Sequence, residues 1–426
     1  MTRVVLVRHG QSTWNAQGWV QGRSDISVLT QTGEEQAEAT AKFLKDVSFA
    51  AVYASPLQRA RRTAEIIVGN HQAIAFEPDL MEINLPGWEG LDHKQLAERF
   101  PVEHHLWQEA PEQLDIDGFK PIVDLWEQAR RFWGRCLATD HQGCVLVVAH
   151  NAINKALIAT ALGMPESRYG SLLQSNCGVS VLNFDATGFA TLESLNLTAH
   201  TGKPIPAQKS GTRLLLVRHG ETDWNRMERF QGQIDVPLNS QGEKQAACAA
   251  EFLKEIPIDQ AFSSHLLRPK VTAEKILAFH PGVALELVPD LQEISHGQWE
   301  GKFKEQIEAE FPGQIAQWQA KPASIQMPDG ENLQQVWDRV LPAWQQIAES
   351  VDGKTGLVVA HDAVNKTIVA SVLGCTPGDF WRFKQGNGSV TVIDYPKGPQ
   401  GLPQLSAANI TSFLGGVFDC TAAGAL

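Results

Sequence analysis

The chain has 426 residues, of which 43% are apolar and 20% charged, and its formal net charge is −12. That length suits two domains and that composition builds cores, so a disordered or low-complexity chain is excluded. The acidic balance argues against a general nucleic-acid or anionic-membrane surface, and no apolar run approaches the roughly 20 residues that span a bilayer.

The chain enters its first strand-like run at Arg3, so no signal or transit peptide is expected. Residues 4–7 read as a strand buried on both faces, and residues 33–44 as a helix with Ala37, Ala41 and Leu44 on one side. A strand over 50–54, a helix over 59–68, a strand over 145–149, a helix over 151–162 closed by Gly163, and a strand over 179–184 follow. The same succession then recurs over 214–217, 242–253, 268–277, 357–360, 362–373 and 390–393.

The recurrence is an internal repeat. Arg3 to Ser12 returns as Arg213 to Thr222, with His9 and His219 separated by 210 positions, Arg59 and Arg268 by 209, and both Glu82/Glu293 and His150/His361 by 211. Offsets this steady mean tandem copies of one whole domain. The expected architecture is α/β: two three-layer αβα domains, residues 1–200 and 212–414, each with a mostly parallel sheet and helices on both faces. A linker over 201–211, rich in Gly, Pro, Lys and Ser, joins them, and 415–426 is expected to be a tail. In such sheets ligands bind beyond the carboxyl ends of strands, where Arg8-His9 and His150 fall.

The segment Arg8-His9-Gly10-Gln11-Ser12-x-Trp14-Asn15 and its partner Arg218 to Asn225 resemble the signature of the histidine phosphatase superfamily, which includes phosphoglycerate mutases and many phosphomonoesterases. In order follow Gln21-Gly22 with Asp25, Ser55 with Arg59, Glu82-Ile83 with Trp88-Glu89-Gly90, and His150. In the second copy these are Gln231-Gly232 with Asp235, Ser263-Ser264 with Arg268, Glu293-Ile294 with Trp299-Glu300-Gly301, and His361. The first copy, at Arg3 to Asn15, Val145 to Asn154 and Leu172 to Leu182, further resembles the 2-carboxy-D-arabinitol-1-phosphatase group. That group has two-part chains with a degenerate second half, whereas both sets are complete here.

The resemblance implies a phosphomonoester hydrolase acting on a small sugar phosphate or sugar-acid phosphate. The residue types suit that chemistry. Phosphoryl transfer asks a protein mainly for positioning and charge stabilisation. Arg8, Arg59, Arg218 and Arg268 are permanently charged forks for phosphate oxygens. His9 and His219, as neutral imidazoles, can attack phosphorus, and His150 and His361 can donate to the oxygens that gain charge. Glu82 and Glu293 can protonate the leaving alkoxide. Asn15, Gln21, Gly22, Asn225, Gln231 and Gly232 are substrate-side positions by the resemblance, although Asn and Gln there serve turns equally well. With arginine supplying the positive charge, no metal and no other cofactor is expected, and the partner is a small phosphate ester.

A mutase is the first alternative, but its Glu-Arg-x-Tyr-Gly pattern around the acid is missing from both Glu82-Ile83-Asn84 and Glu293-Ile294-Ser295. A phosphoserine or protein phosphohistidine phosphatase is the second, and a non-catalytic phospholigand scaffold the third. Pro86 stands where the second copy has Gly297, so the two acid loops are expected to run differently. His104 and His105 have no metal-ligand spacing and are expected at the surface. Six cysteines without a C-x-x-C pair are expected as buried thiols in a reducing, cytoplasmic compartment.

Overall fold

The computed structural model describes residues 1–69, 72–139, 141–208 and 210–421. The chain divides into two compact units, Met1–Pro206 and Ala207–Leu426, with the boundary inside the expected linker. The first unit runs β1 (Thr2–Arg8), α1 (Thr13–Gln17), α2 (Gln31–Phe43), β2 (Phe49–Ala54), α3 (Gln58–Val68) and β3 (Ala75–Phe76), then α4 (His93–Arg99), α5 (Pro101–Glu109) and α6 (Pro121–Ala138). It closes with β4 (Cys144–Ala149), α7 (Asn151–Leu162), β5 (Val179–Phe184) and β6 (Ala190–Leu197).

The second unit repeats this. It runs β7 (Thr212–Arg218), α8 (Asp223–Arg226), α9 (Ser240–Leu253), β8 (Gln260–Ser263), α10 (Leu267–Leu277), β9 (Leu285–Leu287), α11 (Lys304–Glu310) and α12 (Gln314–Ala320). Then come α13 (Leu333–Ser350), β10 (Thr355–Ala360), α14 (Asp362–Val372), β11 (Val390–Tyr395) and β12 (Gln404–Ile410).

Within the first unit the strand order is β3-β2-β4-β1-β5-β6, and within the second β9-β8-β10-β7-β11-β12. The first four strands of each are parallel and the last two antiparallel to their neighbours. This is the expected α/β architecture, with α2 packed on α3 and α6 on α7 in the first unit and the same pairs, α9–α10 and α13–α14, in the second. Val4 to Val7 and Leu214 to Val217 are wholly buried, as a run of β-branched and Leu residues covered on both faces must be. Of the strands that the apolar runs did not disclose, β3, β8 and β9 are only two to four residues long, and β6 and β12 interleave Ser, Asn and Thr or Gln with their apolar residues.

Glycine pairs fix how the chain leaves the central strands. A Cβ on Gly10 would meet the Gly33 carbonyl oxygen at 2.3 Å, and one on Gly33 would meet that of Gln11 at 2.1 Å. The loop after β1 therefore lies directly on the start of α2, and Gly220 and Gly242 repeat the contact. Pro269, in the first turn of α10, needs no N–H there.

Three details differ from expectation. His104 is buried on α5, its ring beside His93 at 5.9 Å, because the helix turns that position inward. Of the six free cysteines, Cys136, Cys144 and Cys177 are buried but Cys248 and Cys420 are exposed, on the outer side of α9 and near the end of the chain. Part of the segment expected as a tail packs on the second unit: Asp419 pairs with Lys384 at 3.2 Å, and the Asn387 amide donates to Thr421 at 3.1 Å. Residues 422–426 lie outside the described residues. No helix among the described residues is long and apolar enough to cross a membrane.

Candidate active site

Each unit has one site, built where two adjacent parallel strands end. The register pairs Arg8 with Ala149, so the next residues, His9 and His150, emerge side by side with ring centroids 5.1 Å apart. In the second unit Arg218 pairs with Ala360, and His219 and His361 lie 5.2 Å apart. All four imidazoles are buried.

The tautomer of the first histidine follows from its neighbours. His9 Nδ1 lies 2.7 Å from the Gly10 carbonyl oxygen, and His219 Nδ1 lies 2.7 Å from that of Gly220. A carbonyl only accepts, so Nδ1 carries the proton and Nε2 presents a lone pair. In the second unit Arg268 Nε donates to His219 Nε2 at 3.2 Å, a contact possible only to an unprotonated nitrogen. Burial, and then the charges of Arg59 and Arg8, hold His9 well below its ordinary pKa; burial, Arg268 and Arg218 do the same for His219. Both are neutral near pH 7. His150 and His361 are lowered likewise by burial and by Arg59 and Arg268.

The arginines form a cradle beside these rings. Arg59, in the first turn of α3, donates to the carbonyl oxygens of Gly22 (2.9 Å) and Ser24 (2.8 Å); Arg268 donates to those of Gly232 (2.7 Å) and Ile234 (3.0 Å). Burial pushes both guanidinium groups down to about 10, so they remain charged at neutral pH. Arg8 and Arg218 are anchored by the carbonyl oxygens of Gln174 and Gln385. Among the described residues, the buried Nε atoms of Arg8, Arg59 and Arg218 and the Nδ1 atoms of His150 and His361 meet no protein partner. These unpartnered groups belong to residues gathered around His9 and His219, an arrangement suited to a tetrahedral oxyanion.

The acid is buried against the start of the helix that follows the second histidine. Glu82 Oε1 accepts from the backbone amides of Ile83 (3.0 Å), Ala152 (2.9 Å) and Ile153 (3.3 Å). Glu293 uses both oxygens, accepting from Ile294 (3.0 Å), Asp362 (3.1 Å) and Ala363 (3.2 Å). Burial and the adjacent Asp362 carboxylate raise the Glu293 pKa. Asp362 is paired with Arg218 at 3.3 Å and Lys366 at 2.6 Å, and the first unit has the neutral Asn151 in its place.

The substrate-side residues of the sequence reading are tied together around the rim. Asn15 and Asn225 accept from the backbone amides of Ser12 (3.2 Å) and Thr222 (3.1 Å), closing capping boxes on α1 and α8. Gln21 and Gln231 accept from the Ser12 and Thr222 hydroxyls at 2.8 and 2.7 Å. Gly22 and Gly232 enter through the carbonyl oxygens that Arg59 and Arg268 grip. The acid loops do diverge. Gly297 has φ +54° and a Cβ there would meet the Pro328 oxygen at 2.1 Å, whereas Pro86 moves the left-handed position on to Gly87 at φ +77°.

Sequence reasoning named Ser55 and Ser264 in the motif without giving them a role, and gave none to Asn176 or Asn387. Ser55 and Ser264 hydroxyls sit 2.7 and 2.9 Å from Nε2 of His150 and His361. Asn176 and Asn387 donate to the main-chain oxygens of His9 (3.0 Å) and His219 (3.2 Å), fixing the loop that carries each imidazole. The signal was available: both pairs recur at the repeat offset, 209 and 211 positions apart.

Comparison with known proteins bears on these sites. A family model described as "Histidine phosphatase superfamily (branch 1)" matches residues 4–198 and again 214–407. The chain is 33% identical over 437 aligned residues to the "Probable 2-carboxy-D-arabinitol-1-phosphatase" of Arabidopsis thaliana, covering 97% of this chain and 88% of that one. It is 35% identical to the "2-carboxy-D-arabinitol-1-phosphatase" of Triticum aestivum, with 97% and 86% coverage. It is also 31% identical over 205 residues to "Phosphoserine phosphatase 1" of Hydrogenobacter thermophilus, which matches 48% of this chain and 94% of its own length.

Proposed function

The chain belongs to the histidine phosphatase superfamily and is a phosphatase, and from that premise we propose that both of its halves hydrolyse small phosphate monoesters through a phosphohistidine. The observation that carries this reading is the unprotonated Nε2 of His9 and of His219, each beside two arginines, of which Arg59, Arg218 and Arg268 are buried, and a second histidine.

In the first half, Arg8 and Arg59 hold the phosphoryl oxygens while His9 Nε2 attacks phosphorus in line with the departing oxygen. His150 donates to an equatorial oxygen as charge grows there. Glu82 protonates the leaving alkoxide, then takes a proton from the water that cleaves the phosphohistidine. Arg218, Arg268, His219, His361 and Glu293 take the same roles in the second half. Asn15, Gln21, Gly22, Asn225, Gln231 and Gly232 shape the rim against the leaving group.

The substrate class we favour is a sugar phosphate or sugar-acid phosphate. Support comes from two relatives named 2-carboxy-D-arabinitol-1-phosphatase, each aligned over nearly the whole chain. Six free cysteines suit a reducing compartment, and we place the activity in the cytoplasm.

A phosphate-release screen over sugar phosphates, phosphoglycerates and phosphoserine in excess EDTA tests the reading. Turnover of at least one class is expected to persist with the chelator, because arginine and histidine supply the positive charge. Complete loss on chelation, restored by added metal, overturns the metal-free mechanism.

The charge difference at residue 362 gives a second expectation. Asp362 raises the Glu293 pKa, so Glu293 stays protonated, and competent as an acid, to higher pH than it would beside a neutral residue. Asp362→Asn, measured in a His9→Ala background, is therefore expected to move the basic limb of the kcat profile to lower pH. An unmoved or upward-shifted limb contradicts the assignment of that limb to Glu293.

A further inference from the structure

At the acid side of the two sites, one arginine and one glutamine have changed places. In the first unit Arg23 lies between the two carbonyls that Arg59 grips, those of Gly22 and Ser24. From there its Nε donates to the main-chain oxygen of Glu82 (3.2 Å) and its Nη2 to Gln128 Oε1 (2.9 Å) on α6. Gln128 in turn donates to the carbonyl oxygens of Asp79 (3.1 Å) and Met81 (2.7 Å).

In the second unit Gln233 lies between the carbonyls of Gly232 and Ile234 that Arg268 grips, and its Nε2 donates to the main-chain oxygen of Glu293 (3.2 Å). On α13, Arg339 donates to the carbonyl oxygens of Asp290 (2.7 Å), Gln292 (2.8 Å) and Glu293 (3.1 Å). Either order satisfies the carbonyls of the acid loop. Holding the loop therefore does not require the exchange.

What the exchange alters is the position of a positive charge. Arg23 bridges from the loop that Arg59 grips to the main chain of the acid, and its side chain is 34% exposed. Among the described residues its Nη1 has no protein acceptor and its one ion-pair partner is Asp124, 3.6 Å away and itself 35% exposed. Arg339 instead lies beneath the loop, 14% exposed, with its Nε and Nη2 occupied by the two oxygens of Glu331 (2.7 and 2.9 Å). The rim of the second site thus presents the neutral Gln233, and the buried Asp362 adds a negative charge where the first site has Asn151.

We propose that this Arg–Gln exchange divides the substrates between the sites: Arg23 makes the first site select phosphate esters whose leaving group carries a second anion, such as a carboxylate, and Gln233 leaves the second site to uncharged leaving groups. The inference rests on the phosphatase reading above and assigns a specificity residue to each half.

The test uses the full chain with p-nitrophenyl phosphate as reporter. His219→Ala isolates the first site and His9→Ala the second. The competitors are 3-phosphoglycerate and glycerol 3-phosphate, which differ in a carboxylate against a hydroxymethyl group. The first site is expected to prefer the carboxylate by roughly tenfold or more in Ki, the scale of one charge-assisted hydrogen bond, and Arg23→Gln with Gln128→Arg is expected to erase that preference. At the second site Gln233→Arg is expected to create it, a gain that a damaged fold cannot mimic. Ki ratios that stay within twofold in every variant overturn the inference and leave the phosphatase reading intact. No hydrolysis of the reporter by the unmodified chain overturns both.

Discussion

Replacing His9 and His219 together by Ala is expected to lower kcat for phosphate release by at least about 10⁴-fold, the scale of losing a nucleophile around which a site is organised. The His219 Nε2 lone pair meets Arg268 of its cradle, and the charges of Arg59 and Arg8 act on His9. The cradle itself survives the substitution, because main-chain carbonyls hold Arg59 and Arg268, and Arg268 loses only its contact with the His219 ring. Competition by inorganic phosphate is therefore expected to persist while turnover disappears. His9→Ala alone removes the activity of one half and His219→Ala that of the other. A double variant that keeps more than about 1% of the original kcat contradicts the assignment of both nucleophiles.

Glu82→Gln, in a His219→Ala background, is expected to slow the hydrolysis of an alkyl phosphate by about 10²- to 10⁴-fold and that of p-nitrophenyl phosphate by less than about tenfold. An alkoxide needs a proton to leave, whereas nitrophenolate is stable without one. The first site is the better place for the experiment. Glu82 accepts its three backbone amides through Oε1 alone, so Gln keeps that set and changes only the atom at Oε2. Glu293 accepts amides through both oxygens, and the Nε2 of a glutamine there would confront the N–H of Asp362 or of Ala363. Equal losses on the two esters would return Glu82 to a structural role, holding the start of α7.

The parts of this design that were legible in the sequence are those with a short-range cause. Val4 to Val7 had to be a strand buried on both faces, and the steady offset between copies established two domains before any contact was known. The repeat also marked His9, His150, Arg59 and Glu82 as a set, because each returned with its neighbours. Their chemistry needed only the residue types.

What escaped depended on contacts across the fold. Arg23 and Gln128 are separated by 105 positions in sequence, and Gln233 and Arg339 by 106, so neither half reveals the exchange until α6 and α13 lie against their acid loops. Asp362 read as the first residue of a helix; its effect on Glu293 exists only because the two converge at the start of α14. Asn15 and Asn225 were ambiguous between pocket and turn, and both supply a capping oxygen at the rim. Phe418 to Thr421 carried no apolar pattern, and that segment is instead tied down by the Asp419–Lys384 pair.

Under the proposed mechanism one chain forms a phosphohistidine in each of its halves. The most direct measurement is to mix the protein with a ³²P-labelled monoester from the phosphate-release screen, quench in alkaline denaturant within the first turnovers, and map the label by peptide. Label is expected on His9 in the His219→Ala variant, on His219 in the His9→Ala variant, and on both in the unmodified chain. Label on neither histidine, or on the same single histidine whichever partner is intact, contradicts the claim.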